Sequence, residues 1–418
     1  MVPSLRKLRS AVLGGFAERM PGTVTGMRSL TRTRLAVVTA LAMAVATFPF
    51  TIFSVLAADL IGELEISRAQ VGFLVTATGL VGALVSPVFG YLTDKLGSVR
   101  AARGVLLGGV VTLAAIAAAP TYPLLAAAAL LAGIPNGWTN PATNALIVDN
   151  VPPGGRGLIT GVKQSGVQVG ASLGGLLLPV LAGVWGWRAA VAVFVLIPVS
   201  GAVGLWGRRD SPETRRRDDE RAGARLPASV KWIAVYGALS GLASYAIFGF
   251  LPLFAEEDQL WSAPAAGTLI AVVGVSGFVA RIAWPPAAER RIGHGPTLAI
   301  LALGSMISAI LLALAALDIA PSMVLVPAAL LLGGGAIAWN AVGMLAVMDF
   351  SPPGMVGKGT GVVLLGFLGG IAVGAPLMGL SVDATGSYVP GWFAVAALFA
   401  VDAAVAGRIP RGGSLAAS

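Results

Sequence analysis

A chain of 418 residues that is 56% hydrophobic and only 11% charged lies far below the roughly 25% charged residues of an ordinary soluble domain, and that excludes a water-soluble globular fold. Cysteine is absent and histidine occurs once, at His294 in a short polar stretch; disulfides and thiolate metal centres are excluded, and neither a metal nor any other cofactor is expected. The net charge of +9 invites a nucleic-acid partner, but the placement of the cations described below speaks for membrane orientation and against nucleic acid.

Residues 1–34 are basic and broken by Pro3, Pro21 and several glycines, and read as a cytoplasmic tail. Twelve apolar spans follow, near Leu35–Ala58, Ala69–Phe89, Ala101–Ala119, Leu124–Val148, Gly157–Ala182, Ala189–Leu205, Val230–Phe254, Ala263–Trp284, Thr297–Leu317, Met323–Met348, Gly357–Leu380 and Trp392–Ala406. Most have the ~20 residues that a helix needs to cross a hydrocarbon core of about 30 Å, and they lack the alternation of a membrane strand. With the N-terminus inside, nearly all lysines and arginines fall on the inner side, and only Arg68 and Arg188 fall outside. Glu63, Glu65, Glu256, Glu257 and Asp258 mark outer loops instead. The expectation is an all-α integral membrane protein of the cell (plasma or inner) membrane, multi-pass, with both termini cytoplasmic.

The stretch GRRDSPETRRRDDERAGARLP is the long polar segment between spans, and it divides them into two sets of six. The expected organisation is a first six-helix bundle over 35–206, a cytoplasmic linker over 207–229, a second bundle over 230–407 and a short cytoplasmic tail over 408–418.

The two halves repeat. VDNVPPGGRGLITGV matches MDFSPPGMVGKGTGV, so that Asp149, Pro152, Pro153, Gly157, Thr160 and Gly161 meet Asp349, Pro352, Pro353, Gly357, Thr360 and Gly361. At the same offset Asn140 meets Asn340, and Gly166, Gly170 and Gly174 meet Gly366, Gly370 and Gly374. At a slightly shorter offset Gly72, Gly79 and Gly82 meet Gly267, Gly274 and Gly277, and Asp94-Lys95 falls on Glu289-Arg290. Six spans return the chain to the side where it began, so the repeats are parallel, related by a pseudo-two-fold axis along the membrane normal.

GYLTDKLGSVRAAR, from Gly90 to Arg103, resembles the loop 2–3 signature of the major facilitator superfamily: glycine, aspartate four residues on, a basic residue, then glycine and more cations. The resemblance extends over the whole chain through the twelve spans, the central loop and a weaker second copy. It implies a transporter, not an enzyme, that moves a small-molecule substrate by alternating access. It also implies a conformational latch of Gly90, Asp94, Lys95, Gly97 and Arg100, with Asp94 at the positive N-terminal end of span 11. The repeat assigns Glu289 and Arg290 the same task at span 5, although Pro285 replaces the first glycine and Gly293 arrives one residue late.

Spans 1, 4, 7 and 10 line the cavity in that superfamily, which makes their polar residues candidates for substrate binding. Asn136, Asn140 and Asn144 recur every four residues along one face of span 4. Trp339 and Asn340 in span 10 and Tyr245 in span 7 extend the set. Span 5 adds Lys163, Gln164 and Gln168, of which Lys163 is the least expected, since a charge at membrane depth costs at least about 2.5 kcal/mol. It lies about two turns beyond Arg156, roughly 10 Å of rise, near enough to snorkel to the surface. Arg281 reads as an inner-face cation. The middles of spans 1, 4, 7 and 10 carry no carboxylate, and Asp402 in span 12 is the deeply placed acid.

The expected function is secondary active transport of a small solute, with a small organic or inorganic anion as the leading candidate and the direction left open, by a single, monomeric chain among membrane lipids. Efflux of an amphipathic drug is the alternative, and a non-transporting membrane sensor is the alternative of another class.

Overall fold

The computed structural model describes residues 30–210 and 225–412. Most of the 1–34 tail, most of the central linker including SPETR, and the last residues of the C-terminal tail lie outside the described residues. Among those described there is no strand.

The spans of the first half are Arg32–Val55 (span 1), continued after a break by Ala57–Leu64, then Arg68–Leu96 (span 2), Ser98–Ala118 (span 3), Tyr122–Asn150 (span 4) and Arg156–Trp185 (span 5). Span 6 is two short helices, Trp187–Phe194 and Leu196–Gly204. The second half has Ala228–Glu257 (span 7), Ala263–Ala287 running into a π-turn Ala288–Ile292 (span 8), and His294–Ala316 (span 9). Span 10 is composite, from Ser322 to Phe350, with a π-turn at Gly333–Ile337. Val356–Thr385 and Val389–Ala406 are spans 11 and 12. Span 7 starts inside the stretch assigned to the linker, because the extended Pro227 immediately before it sets the first turn.

Eleven of these helices are long and apolar enough to cross a membrane. Span 4 has the length, at 29 residues, and falls short in apolarity because it carries Asn136, Asn140 and Asn144 together with Pro135 and Pro141. Its polar groups are turned into protein, where membrane helices tolerate them. Trp138, Asn140 and Asn144 are all buried.

Spans 5 and 11 occupy equivalent places, and their glycines explain why. Gly166 and Gly170 of span 5 lie against the backbone of Ala40 and Ala44 in span 1, and Gly366, Gly370 and Gly374 of span 11 lie against Ala234, Ala238 and Leu242 in span 7. Their first turns cross to the opposite half. Gly157 and Gly161 meet Pro285 and Arg281–Ile282 of span 8, while Gly357 and Gly361 meet Gly90 and Ser86–Pro87 of span 2. Small residues let helix backbones touch in this way.

The late arrival of Gly293 has a structural answer. The π-turn Ala288–Ile292 takes up one extra residue. The chain then leaves span 8 through Gly293 at φ 94°, nearly the φ 93° of Gly97 after span 2. Both values lie in the region that side chains disfavour.

The backbone contact at Gly361 yields a comparison within one helix. A Cβ there would meet the Ser86–Pro87 backbone, whereas one at Gly369 meets nothing within 4 Å. Gly361→Ala is expected to lose about 1–3 kcal/mol by overpacking and to melt several degrees lower, while Gly369→Ala melts no lower than the parent. Thermal denaturation of the purified protein checks both.

Candidate functional site

A cavity of about 960 Å³ lies between the halves, in the portions of the spans remote from the cation-rich end. Thr47 and Phe50 of span 1, Gln168 of span 5, Tyr245 and Phe248 of span 7, and Arg281 of span 8 contribute to its wall. Tyr245 stands against the rings of Phe248 and Phe367, at centroid distances of 5.9 and 6.5 Å.

Arg281 is the residue that the sequence reading misplaced. It is not an inner-face cation. Its side chain is 6% exposed and faces the cavity. Nε donates to the Ile337 carbonyl at 3.0 Å, and one terminal nitrogen donates to the Gln168 side chain and to the Gln164 carbonyl. Among the described residues the guanidinium has no carboxylate partner, and its other terminal nitrogen makes no hydrogen bond. A lone arginine inside an apolar span, two turns short of the Glu289 loop, was the signal in the sequence; adjacency to that loop disguised it.

Lys163 does not snorkel. It is fully buried, and its ammonium turns toward span 4, donating to Asn140 Oδ1 at 3.0 Å and Asn144 Oδ1 at 2.5 Å. Gln164 also donates to Asn140 Oδ1, at 3.1 Å. Asn144 then reaches across to the other half, donating to Thr360 Oγ1 at 3.0 Å and to Met344 Sδ at 3.5 Å. The structure therefore gathers Lys163, Gln164, Asn140 and Asn144 into one buried group and sends Gln168 to Arg281. Asn136 is elsewhere, donating to the Ala46 carbonyl at 3.1 Å as a tie between spans 4 and 1. Trp339 packs between Tyr236 and Phe367, and Asn340 Oδ1 has no hydrogen-bond partner among the described residues.

The cation-rich end is closed by two matching contacts. Asp94 accepts the backbone N–H groups of Gly357 and Lys358, both at 2.7 Å, at the start of span 11. Glu289 accepts those of Arg156 and Gly157, both at 2.9 Å, at the start of span 5. Each carboxylate joins one half to the first turn of a helix in the other, where unsatisfied N–H groups and the helix dipole favour negative charge. Arg156 adds an ion pair to Asp349 at 2.9 Å, and His294 holds the other oxygen of that carboxylate at 2.9 Å. His294 is thus buried rather than in a polar loop. Lys95 lies over the Tyr91 ring, Arg100 reaches Asp210 at 3.9 Å, and Arg290 donates to the Gly154 carbonyl.

A cavity between two six-helix halves, shut at one end by contacts that repeat, agrees with what the family comparison finds. The model of the Major Facilitator Superfamily matches residues 39–375. The chain belongs to that superfamily. It is 34% identical over 170 residues to an uncharacterized transporter of Sinorhizobium fredii, a match covering 34% of this chain and 43% of that protein. The chain thus spans less than half the length of that relative. A gentisate transporter of Corynebacterium glutamicum is 30% identical, covering 46% and 47% of the two chains. A probable nitrate/nitrite transporter of Mycobacterium tuberculosis is 29% identical over 74% and 79%. A multidrug resistance protein of Serratia proteamaculans is 27% identical over 38% and 39%. Among solved structures, the proton:xylose symporter XylE superposes with a TM-score of 0.76 at 14% identity, covering 91% and 96% of the two chains. That likeness is one of fold. As a member of the superfamily the chain is a multi-pass membrane transporter of small molecules, not an enzyme.

If the two carboxylate contacts hold the cation-rich end shut, removing their charge opens it. Each charge–dipole contact contributes on the order of 1 kcal/mol, so Asp94→Asn with Glu289→Gln should move the equilibrium by about an order of magnitude. Because the chain has no cysteine, spin labels at Pro153→Cys and Pro353→Cys report that end without background. The expected result is a longer inter-label distance in the double variant.

Proposed function

We propose that the protein takes up a small organic anion, with the cation-rich end on the cytoplasmic side and the cavity facing out. The observation that carries this reading is Arg281, a buried guanidinium on the cavity wall with no carboxylate partner among the described residues. A guanidinium presents paired donors in a plane that matches a carboxylate. Burying one without a counter-ion is costly, and an anionic solute supplies what the protein omits.

The cavity volume of about 960 Å³ suits a molecule larger than a bare inorganic ion; pockets for drug-sized ligands are about 300–1,000 Å³. Tyr245, Phe248 and Phe367 offer faces for an apolar or aromatic body. The substrate therefore has a carboxylate at Arg281 and Gln168 and a flat apolar part against span 7. Two of the relatives above carry anions in their names, which agrees with this reading; a third is named for drug resistance.

Lys163 takes a different part. Its ammonium lies within the protein between spans 5 and 4, and Asn144 joins it to Thr360 of the other half. In this reading Asn140, Asn144, Lys163 and Gln164 form the floor beneath the anion. The floor parts together with the Asp94 and Glu289 latches when the cation-rich end opens.

Efflux of an amphipathic drug is the second reading, favoured by the same aromatic wall. Thermal stabilisation of the purified protein separates the two, since a ligand that binds the folded state at about 100 times its Kd adds about 2.7 kcal/mol. The panel is gentisate, nitrate, benzyl alcohol and a cationic amphiphile such as tetraphenylphosphonium. Gentisate is expected to raise the melting temperature of the parent by a few degrees, to do nothing for Arg281→Ala, and to recover little in Arg281→Lys because the fork is lost. Stabilisation of parent and Arg281→Ala alike by tetraphenylphosphonium or benzyl alcohol, with none from gentisate, would overturn the anion reading in favour of drug binding.

A further inference from the structure

Asn144 and Met344 are equivalent residues of the two repeats, 200 positions apart, and they touch: the Asn144 amide donates to Met344 Sδ at 3.5 Å. A residue that meets its own repeat partner stands beside the axis relating the halves, so this contact marks the middle of the path between them. The Lys163 ammonium is one hydrogen bond away, through Asn144 Oδ1. Along span 5, Lys163 comes seven residues after Arg156 and five before Gln168. That is about 10 Å of rise from the closed end and about 7.5 Å from the cavity wall. A second cation therefore stands on the route that an anion at Arg281 has to take.

Two features set Lys163 apart from a lysine that serves packing. No acid pairs with it among the described residues; Asn140 and Asn144 accept from its ammonium, and the third of its N–H groups has no partner there. Packing does not require a cation at this place either, because the equivalent residue of span 11 is Val363, equally buried. An ammonium among neutral oxygens is costly to bury. The amide that covers it is itself held by the other half, since Asn144 reaches both Thr360 and Met344. Parting the halves at the cation-rich end takes both partners from Asn144 and opens the space beside Lys163.

We propose that Lys163 is a second anion-binding group, covered while the cation-rich end is shut and uncovered when it opens, and that the solute passes from Arg281 to Lys163 between the cavity and that end. The handover rests on the anion reading above. The two cations have different tasks. Arg281 presents a planar fork that matches a carboxylate and selects the solute. Lys163 is a compact, strongly hydrated charge without that fork, and yields the carboxylate to entering water. An anion leaving Arg281 for an uncharged passage would be without a counter-charge at membrane depth, where that is most costly; Lys163 supplies one part-way.

Access to Lys163 is read by acetylation with sulfosuccinimidyl acetate, followed by mass spectrometry of the peptide that contains it. In Asp94→Asn with Glu289→Gln, Lys163 is expected to be acetylated at least several-fold faster than in the parent, and gentisate should slow that reaction. Thermal stabilisation by gentisate then shows which cation holds the solute. In the opened double variant, Lys163→Gln should weaken gentisate at least tenfold and Arg281→Ala less than that; in the parent the order is reversed. Gentisate counterflow in proteoliposomes needs no latch variant: Lys163→Gln should slow it at least tenfold, and Lys163→Arg several-fold less.

Counterflow by Lys163→Gln at the parent's rate overturns the proposal. So does a Lys163 that stays unmodified while the spin labels at the cation-rich end report opening, or an order of the two variants that is the same in the opened protein and the parent. Gentisate that fails to stabilise even the parent overturns the anion reading, and the handover with it. Gentisate that binds the parent through Arg281 and nowhere depends on Lys163 overturns the handover alone.

Discussion

Direct backbone contact between spans 5 and 8, and between spans 11 and 2, is the constraint on which the rest of the structure depends. Gly157 and Gly357, in the first turns of spans 5 and 11, lie directly against the backbones of Pro285 and Gly90. That approach brings each helix N-terminus within 2.7–2.9 Å of a carboxylate from the other half. A bulkier residue at any of these places would hold the halves apart, and the charge–dipole contacts, which fade within about a turn, would be lost with them. The closed end is therefore a matter of small residues first and electrostatics second.

The closed end in turn gives the buried polar groups their setting. With spans 5 and 8 in contact, Arg281 reaches the Gln164 carbonyl and the Gln168 side chain. With spans 11 and 4 in contact, Asn144 reaches Thr360. Lys163 and Arg281 are thus held by neutral oxygens instead of by acids, Lys163 by span 4 of its own half and Arg281 by oxygens from both halves. Neutral partners position a cation without cancelling its field, which leaves Arg281 on the cavity wall as an attractor for negative charge. The acids are used elsewhere: Asp94 and Glu289 on helix ends, Asp349 on Arg156 and His294.

Much of this was legible in the residues. The twelve spans and their division into two sets of six follow from hydropathy and from one polar break, and the repeat pairs Asp94 with Glu289 and Gly357 with Gly157. The helix ends that those two acids cap are the ones the repeat indicates. Glycine spacing survives as packing because a glycine's role depends on its own lack of a side chain, which the sequence states directly. The asparagines of span 4 were visible as well, since three amides in one apolar span interrupt its hydropathy.

What the sequence by itself determined is therefore the architecture: an all-helical membrane chain, a parallel repeat, and the superfamily that these imply. Only the tertiary structure decided where the polar side chains point. Lys163 lies near enough to the surface to snorkel by rise alone, and turns to Asn140 and Asn144 because span 4 lies beside it. Arg281 reads as a loop cation by its distance from Glu289, and faces the cavity because Gly161 draws span 5 onto span 8. The extra residue before Gly293 looks like a broken motif until the π-turn absorbs it. Hydropathy and spacing report how far along a helix a residue sits. The direction in which its side chain leaves, and what it meets, depend on the neighbouring helix, and that helix is supplied by another part of the chain.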